Sequence, residues 1–326
     1  MADLEHIRWI RRPELSRPHV IAAFTGWNDA ADAASTAVKH LVETMGAAPL
    51  AEINPEEFTD FATIRPHVRL DNDSARHIVW PTVSLWSVTS GDVDLILVLG
   101  PEPALRWKLF CQQIIGVAEE YKASSFVSLG ALLADVPHRR STQVLGTATD
   151  QNLIDLHDLQ RSRYEGPTGI VGVLNDAAHA AGFSTASLWA AVPAYAAQVP
   201  SPKAAAALIE RLAEIVGCDS PTMKLDAQSE VYEEQIDEII SSDPSMSRYI
   251  ERLENSGDDD DYVDDVDCAG LVELTIVGLR PKDGKTMTTN NNTNERFIAS
   301  STKVTFDFFI LVLRFKEVRV RASLCD

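Results

Sequence analysis

The residues best placed to do chemistry sit just after short apolar runs. Asn28 and Asp29 follow one such run and open a helical pattern. An amide and a carboxylate there can hold a ligand, or can simply cap the helix, as Asn and Asp do at any helix start. Glu102 stands between Pro101 and Pro103 after a second run, near the start of the next helical pattern, where a negative charge is also favoured by the helix dipole. His138 follows a third run and could act as acid, base or hydrogen-bond donor. A solvated loop histidine is the plainer alternative. Glu165 and Thr168 lie in a polar loop of residues 163–169 that sits elsewhere or folds over the others. Trp27, Trp107 and Trp189 flank these loops as packing aromatics or as stacking platforms.

No motif completes a known chemistry. G-x-G-x-x-G after a strand, G-x-x-x-x-G-K-[ST], G-x-S-x-G and H-E-x-x-H are all missing. The nearest approach, Gly166-Pro167-Thr168-Gly169 with Gly172, is predicted to lead into a strand, so its amides could not meet a pyrophosphate as a helix start does. Cys111, Cys218, Cys268 and Cys325 are far apart, which suggests neither a zinc site nor a disulfide framework but reduced thiols. Catalytic residues cannot be assigned, and no metal or other cofactor is expected.

The elements that must position these residues alternate between strand and helix patterns. Residues 19–25, 94–99, 125–129, 169–174 and 187–192 are predicted strands, and residues 29–45, 104–121, 175–181 and 202–216 predicted helices. That order implies an α/β fold of three layers, α/β/α, around a mostly parallel sheet. In such sheets ligands bind beyond the carboxyl ends of the strands. Five loops then become candidates: Gly26 to Asp29, Gly100 to Pro103, Gly130-Ala131 with residues 135–138, Asn175-Asp176, and residues 192–195.

Composition bounds the rest. The 326 residues are 45% hydrophobic and 24% charged, a globular balance, and the net charge of −19 opposes binding to nucleic acid or anionic lipid. No apolar run of 18 or more residues and no leader pattern is present, so a cytoplasmic protein without membrane attachment is expected. Net charge is −8 over residues 1–225, −14 over 226–267 and +3 over 268–326. This divides the chain into an α/β core, an acidic segment with an exposed helix pair broken near Ser241 to Pro244 and a solvated linker, and an atypical tail that is disordered or foreign to the fold.

Taken as an ordered set, the loops resemble the proteasome assembly chaperone 2 family in its actinobacterial form. The resemblance rests on residues 23–30 around Gly26-Trp27-Asn28-Asp29, on Gly100-Pro101-Glu102-Pro103 with Trp107, on residues 129–138, on residues 162–170 and on residues 187–193. It covers residues 1 to about 255. It implies a phosphorylase/hydrolase-like α/β/α fold, a homotrimer, and kinship with factors that assemble the 20S proteasome. Relatives that dock into proteasome pockets end in a hydrophobic residue, a tyrosine and one further residue, where this chain has Ser323-Leu324-Cys325-Asp326. The expected function is an oligomeric, chaperone-like scaffold with a proteasome-related partner, associating through helix faces such as residues 30–41. The alternative is a small-molecule enzyme, a carboxylate-amine ligase or a hydrolase, with Asn28, Asp29, Glu102 and His138 converging at the strand ends.

Overall fold

Alternate residues of the run His19–Thr25 enter opposite sides of one sheet. Ile21 and Ala23 go to one core, and Val20, Ala22 and Phe24 to the other. The structure, a computed structural model, describes residues 4–71 and 75–255. In chain order the elements are β1 (Ile7–Trp9), β2 (His19–Thr25), α1 (Ala33–Thr44), β3 (Ala48–Ile53), β4 (His67–Leu70), β5 (Arg76–Val79), β6 (Val83–Ser90), β7 (Val93–Pro101) and α2 (Trp107–Glu120). They continue with β8 (Ser125–Ala134), β9 (Val144–Ala148), α3 (Gln151–His157), α4 (Ile170–Ala180), β10 (Ser184–Pro193), α5 (Pro202–Val216), α6 (Met223–Ser241) and α7 (Pro244–Asn255).

The eight-stranded sheet runs β1-β3-β6-β7-β2-β8-β10-β9. Its four central strands, β7, β2, β8 and β10, are parallel, and antiparallel strands extend it to both edges. Helices α1 and α5 cover one face through Ala34, Ala37, Leu41, Leu208 and Leu212, and α2 and α4 cover the other through Phe110, Ile114, Ile170 and Leu174. Each large side chain so buried contributes about 1.5–3 kcal/mol. This is the expected three-layer α/β/α architecture, with a mixed sheet that is parallel at its centre. Among the described residues no helix is long and apolar enough to cross a membrane.

Three local expectations are corrected. Residues 169–174 form the start of α4 and not a strand. The β-branched run Ile170-Val171 looks extended in isolation, but Ile170, Val171, Leu174 and Ala178 are buried at helical spacing. Gly166 to Gly169 therefore opens a helix after all. The helix pair of residues 223–255, broken at the expected place, is docked on the body: α6 packs on α5 and buries Leu225, Tyr232 and Ile236. The face of residues 30–41 proposed for association is spent inside the protein, since Ala33, Ala34, Ala37, Val38 and Leu41 are buried beneath α5. The readings of residues 256–326 lie outside the described residues.

Candidate ligand cavity at the strand ends

Strands β2 and β8 pair only over His19 to Ala22 and Ser125 to Ser128. Beyond that, β2 follows β7 as far as Thr25 and Pro101, while β8 follows β10 as far as Ala134 and Pro193. From β2 the chain builds the β3, β6 and β7 side first and only then crosses to β8, so a topological switch lies here, the place where open α/β sheets form a crevice. One bridge rejoins the two paths where Ala131 N donates to Asn28 O at 2.9 Å. Around it opens a cavity of about 890 Å³, within the range of small-molecule sites. Gly130 is required beside it, because a Cβ at that position would lie 2.6 Å from the Trp189 ring. Trp189 in turn donates from Nε1 to Ser187 Oγ at 2.9 Å.

Four of the seven sequence-predicted site residues line this cavity: Trp27, Asn28, Asp29 and Thr168. Trp27 is 57% exposed at its edge. Asn28 is buried, donating from Nδ2 to Glu102 Oε1 at 2.9 Å, and its Oδ1 has no partner. The side chain of Asn28 rests against Gly169 so closely that any Cβ at residue 169 would overlap it. Asp29 does cap the following helix, but from a distance. Its Oδ1 accepts from Ala34 N at 2.7 Å and Ser35 N at 3.2 Å, across a turn in which Ala31 and Asp32 are left-handed. Its Oδ2 accepts from nothing. Burial raises the Asp29 pKa, outweighing the opposing hydrogen bonds from Ser35 and Ala34.

Glu102 stands behind Asn28. Its Oε1 also accepts from Ile170 N at 2.8 Å, so this carboxylate occupies the N-terminus of α4. Glu165 is exposed and does not line the cavity.

His138 is buried outside the cavity, a correction to its expected place in a shared mouth. Its Nδ1 lies 2.9 Å from Tyr195 Oη and its Nε2 3.0 Å from Asp237 Oδ1. Asp237 also takes two hydrogen bonds from Arg139, at 3.1 Å to Nε and 2.7 Å to Nη2. Burial works against ionisation of Asp237, but the hydrogen bonds from Arg139 and His138 prevail and hold its pKa below the usual value. Nearby, Tyr249 Oη donates to Asp135 Oδ1 at 2.7 Å and Lys203 Nζ to His138 O at 2.9 Å. The loop after β8 thus clamps α6 and α7, and the histidine that an acid–base mechanism needed at the strand ends is engaged in that clamp.

Sequence reasoning missed Thr147, Thr149, Tyr164 and His179, which also line the cavity. Thr147 lies on β9 and Thr149 just beyond it; the short run Val144–Ala148 has no alternation of apolar and polar residues to mark it as a strand. His179 Nδ1 lies 3.1 Å from Thr149 Oγ1. Asn175 and Asp176 do face the cavity region, though from within α4 and not from a loop. Among the described residues no group of three or more His, Cys, Asp or Glu side chains is gathered as a metal site.

An α/β/α protein with a strand-end cavity at the switch point is the class these features define. The chain belongs to the PAC2 family, whose model matches residues 23–240. A proteasome-assembly chaperone homologue from Mycobacterium tuberculosis is 39% identical over 71% of this chain and 99% of its own, with a TM-score of 0.65. A PAC2 family protein from Streptomyces avermitilis is 41% identical over the same shares, with a TM-score of 0.66. PbaB of Pyrococcus furiosus, an archaeal proteasome activator, shares the fold at 18% identity over 72% of this chain and 97% of its own, with a TM-score of 0.58. No curated protein matches the chain.

Proposed function

We propose that the chain is an oligomeric, chaperone-like scaffold that works with proteasome subunits in the cytoplasm. The observation that carries this reading is the 39% identity along 99% of the length of the M. tuberculosis proteasome-assembly chaperone homologue. Surface chemistry supports a protein partner over nucleic acid, since a net charge of −19 repels a phosphate backbone. The direct test mixes the purified protein with separately expressed α and β subunits of an actinobacterial 20S proteasome and follows assembly by native mass spectrometry. A stoichiometric complex with α subunits, or faster appearance of the full particle, is expected. Unchanged assembly and no complex would overturn the proposal.

Self-association, as a trimer, belongs to the same reading. The β4–β5 hairpin exposes all eight of its residues, with Val68 and Leu70 on one strand and Ile78 and Val79 on the other, followed by exposed Trp80. A two-stranded hairpin has little to hold it in water by itself, and a second copy of this chain supplies the missing burial. Light scattering is expected to give three times 35.8 kDa, and Leu70→Lys with Ile78→Lys to lower the mass while the protein keeps a cooperative melting transition. A wild-type mass of 35.8 kDa at micromolar concentration would refute self-association.

A further inference from the structure

We infer that the strand-end cavity is a binding site for a small organic cation, an ammonium or guanidinium group carried on an apolar body. The inference stands apart from the chaperone reading and rests on the charges and unused hydrogen-bonding capacity of the cavity wall.

Two helix N-termini come close to the cavity, and in most α/β proteins these would recruit an anion. Here both are already neutralised by the chain. Glu102 accepts the first amide of α4, and Asp29 accepts the amides of Ala34 and Ser35 in α1. What remains on the wall beside the engaged Asp29 is acidic: Asp32 and Asp176 line it, no lysine or arginine does, and His179 is the one lining group able to carry a positive charge. A phosphate or carboxylate would meet Asp32 and Asp176 with little to balance its charge.

The unused hydrogen-bonding groups have the same sign. Asn28 Oδ1, Asp29 Oδ2 and Asn175 Oδ1 are buried acceptors without a partner, on three residues that line the cavity. These oxygens are covered as they stand: Asn28 and Asp29 are 1% and 5% exposed, so leaving their oxygens unpaired is costly, and a ligand rich in N–H donors that draws either side chain into the cavity removes that cost. The rest of the wall suits an apolar body: Ala30, Ala131, Leu132 and Leu133 offer aliphatic contact, and Trp27 and Trp189 add aromatic surface, which suits a cation's apolar body.

Titration calorimetry on the full chain tests this with four probes: tryptamine, agmatine, indole-3-acetate and inorganic phosphate. Saturable binding of at least one amine is expected, with indole-3-acetate and phosphate weaker by about tenfold or more. Asp176→Lys, at an exposed helix position, is expected to weaken the amine by about tenfold or more, and Asp29→Asn to do the same while keeping an acceptor for the α1 amides. Absence of saturable binding by either amine up to about 10 mM would overturn the inference. So would indole-3-acetate or phosphate binding as tightly as the amines, or an unchanged affinity in a folded Asp176→Lys protein. No proteasome subunit is present in these measurements, so their failure and failure of the chaperone proposal remain distinguishable.

Discussion

Glu102 and Ile170, 68 residues apart, meet at 2.8 Å where a carboxylate oxygen of the β7 loop accepts the first amide hydrogen of α4. The same oxygen holds Asn28 Nδ2 at 2.9 Å, so one side chain joins the ends of two parallel strands to the start of a helix on the sheet's face. Charge-assisted hydrogen bonds of this kind are worth about 1.5–3 kcal/mol. Glu102→Ala should therefore cost about 2 kcal/mol of unfolding free energy in urea titration. Glu102→Gln, which keeps an acceptor for Ile170, should cost less. Equal losses in the two variants would mean that packing of the side chain, and not its acceptor oxygen, secures the junction.

Asp29 should make the protein's stability depend on pH in the direction that burial of a carboxylate gives. Burial raises its folded-state pKa above the unfolded value, so the native state holds the proton more tightly than the unfolded chain does. Stability on this account falls as pH rises from about 4, the unfolded value, through the raised native value, and then levels off. Asp29→Asn removes the buried charge and keeps a capping oxygen. It should melt at or above the wild-type temperature at pH 7, with that advantage gone below about pH 4. Asp29→Ala also loses the cap and should be less stable by about 1 kcal/mol.

Asp237 should behave in the opposite sense. Its folded pKa is lowered, so its contribution is fully present above the unfolded value of about 4 and is lost as pH falls through the native value. Amide hydrogen exchange in α6 should accelerate below about pH 4 ahead of exchange in β2 and β7, and Asp237→Ala should produce that acceleration at neutral pH. His138→Ala should likewise loosen α6 yet leave amine binding unchanged, because His138 lies outside the cavity. A loss of amine affinity in that variant would return the histidine to the site.

A chain ending at Asn255 should keep a cooperative melting transition within a few degrees of the full-length protein. Both cores, each of the described clusters around α1 and α5 and around α2 and α4, close with residues up to Leu225, and α6 and α7 complete their packing by Asn255. Limited proteolysis of the full chain is expected to cut first between residues 255 and 267, following the proposed division into a core of residues 1–225, an acidic segment to 267 and a tail beyond. Loss of cooperative melting in the shortened protein would place an integral element of the core after Asn255.

Much of the fold was legible because local period and burial coincide. Residues 19–25 alternate between two apolar faces, residues 202–216 carry an apolar stripe behind a serine cap at Ser201, and both became the elements their patterns predict. Loop positions at the ends of β2 and β7 followed from the same patterns, and with them Trp27, Asn28, Asp29 and Glu102. The rest depended on partners distant in sequence. Ile170-Val171 has the composition of a strand, and becomes a helix start where Glu102 accepts its first amide and the face of α4 settles on Phe110 and its neighbours. Gly130-Ala131 reads as a turn, and remains a strand because β10 pairs with it to the end. His138 reads as a mouth residue, and is drawn away by Tyr195 and Asp237, 57 and 99 residues further along. A sequence specifies which residues want burial or a hydrogen bond; which partner satisfies that demand is decided only when the packed chain brings the alternatives within about 3 Å of each other.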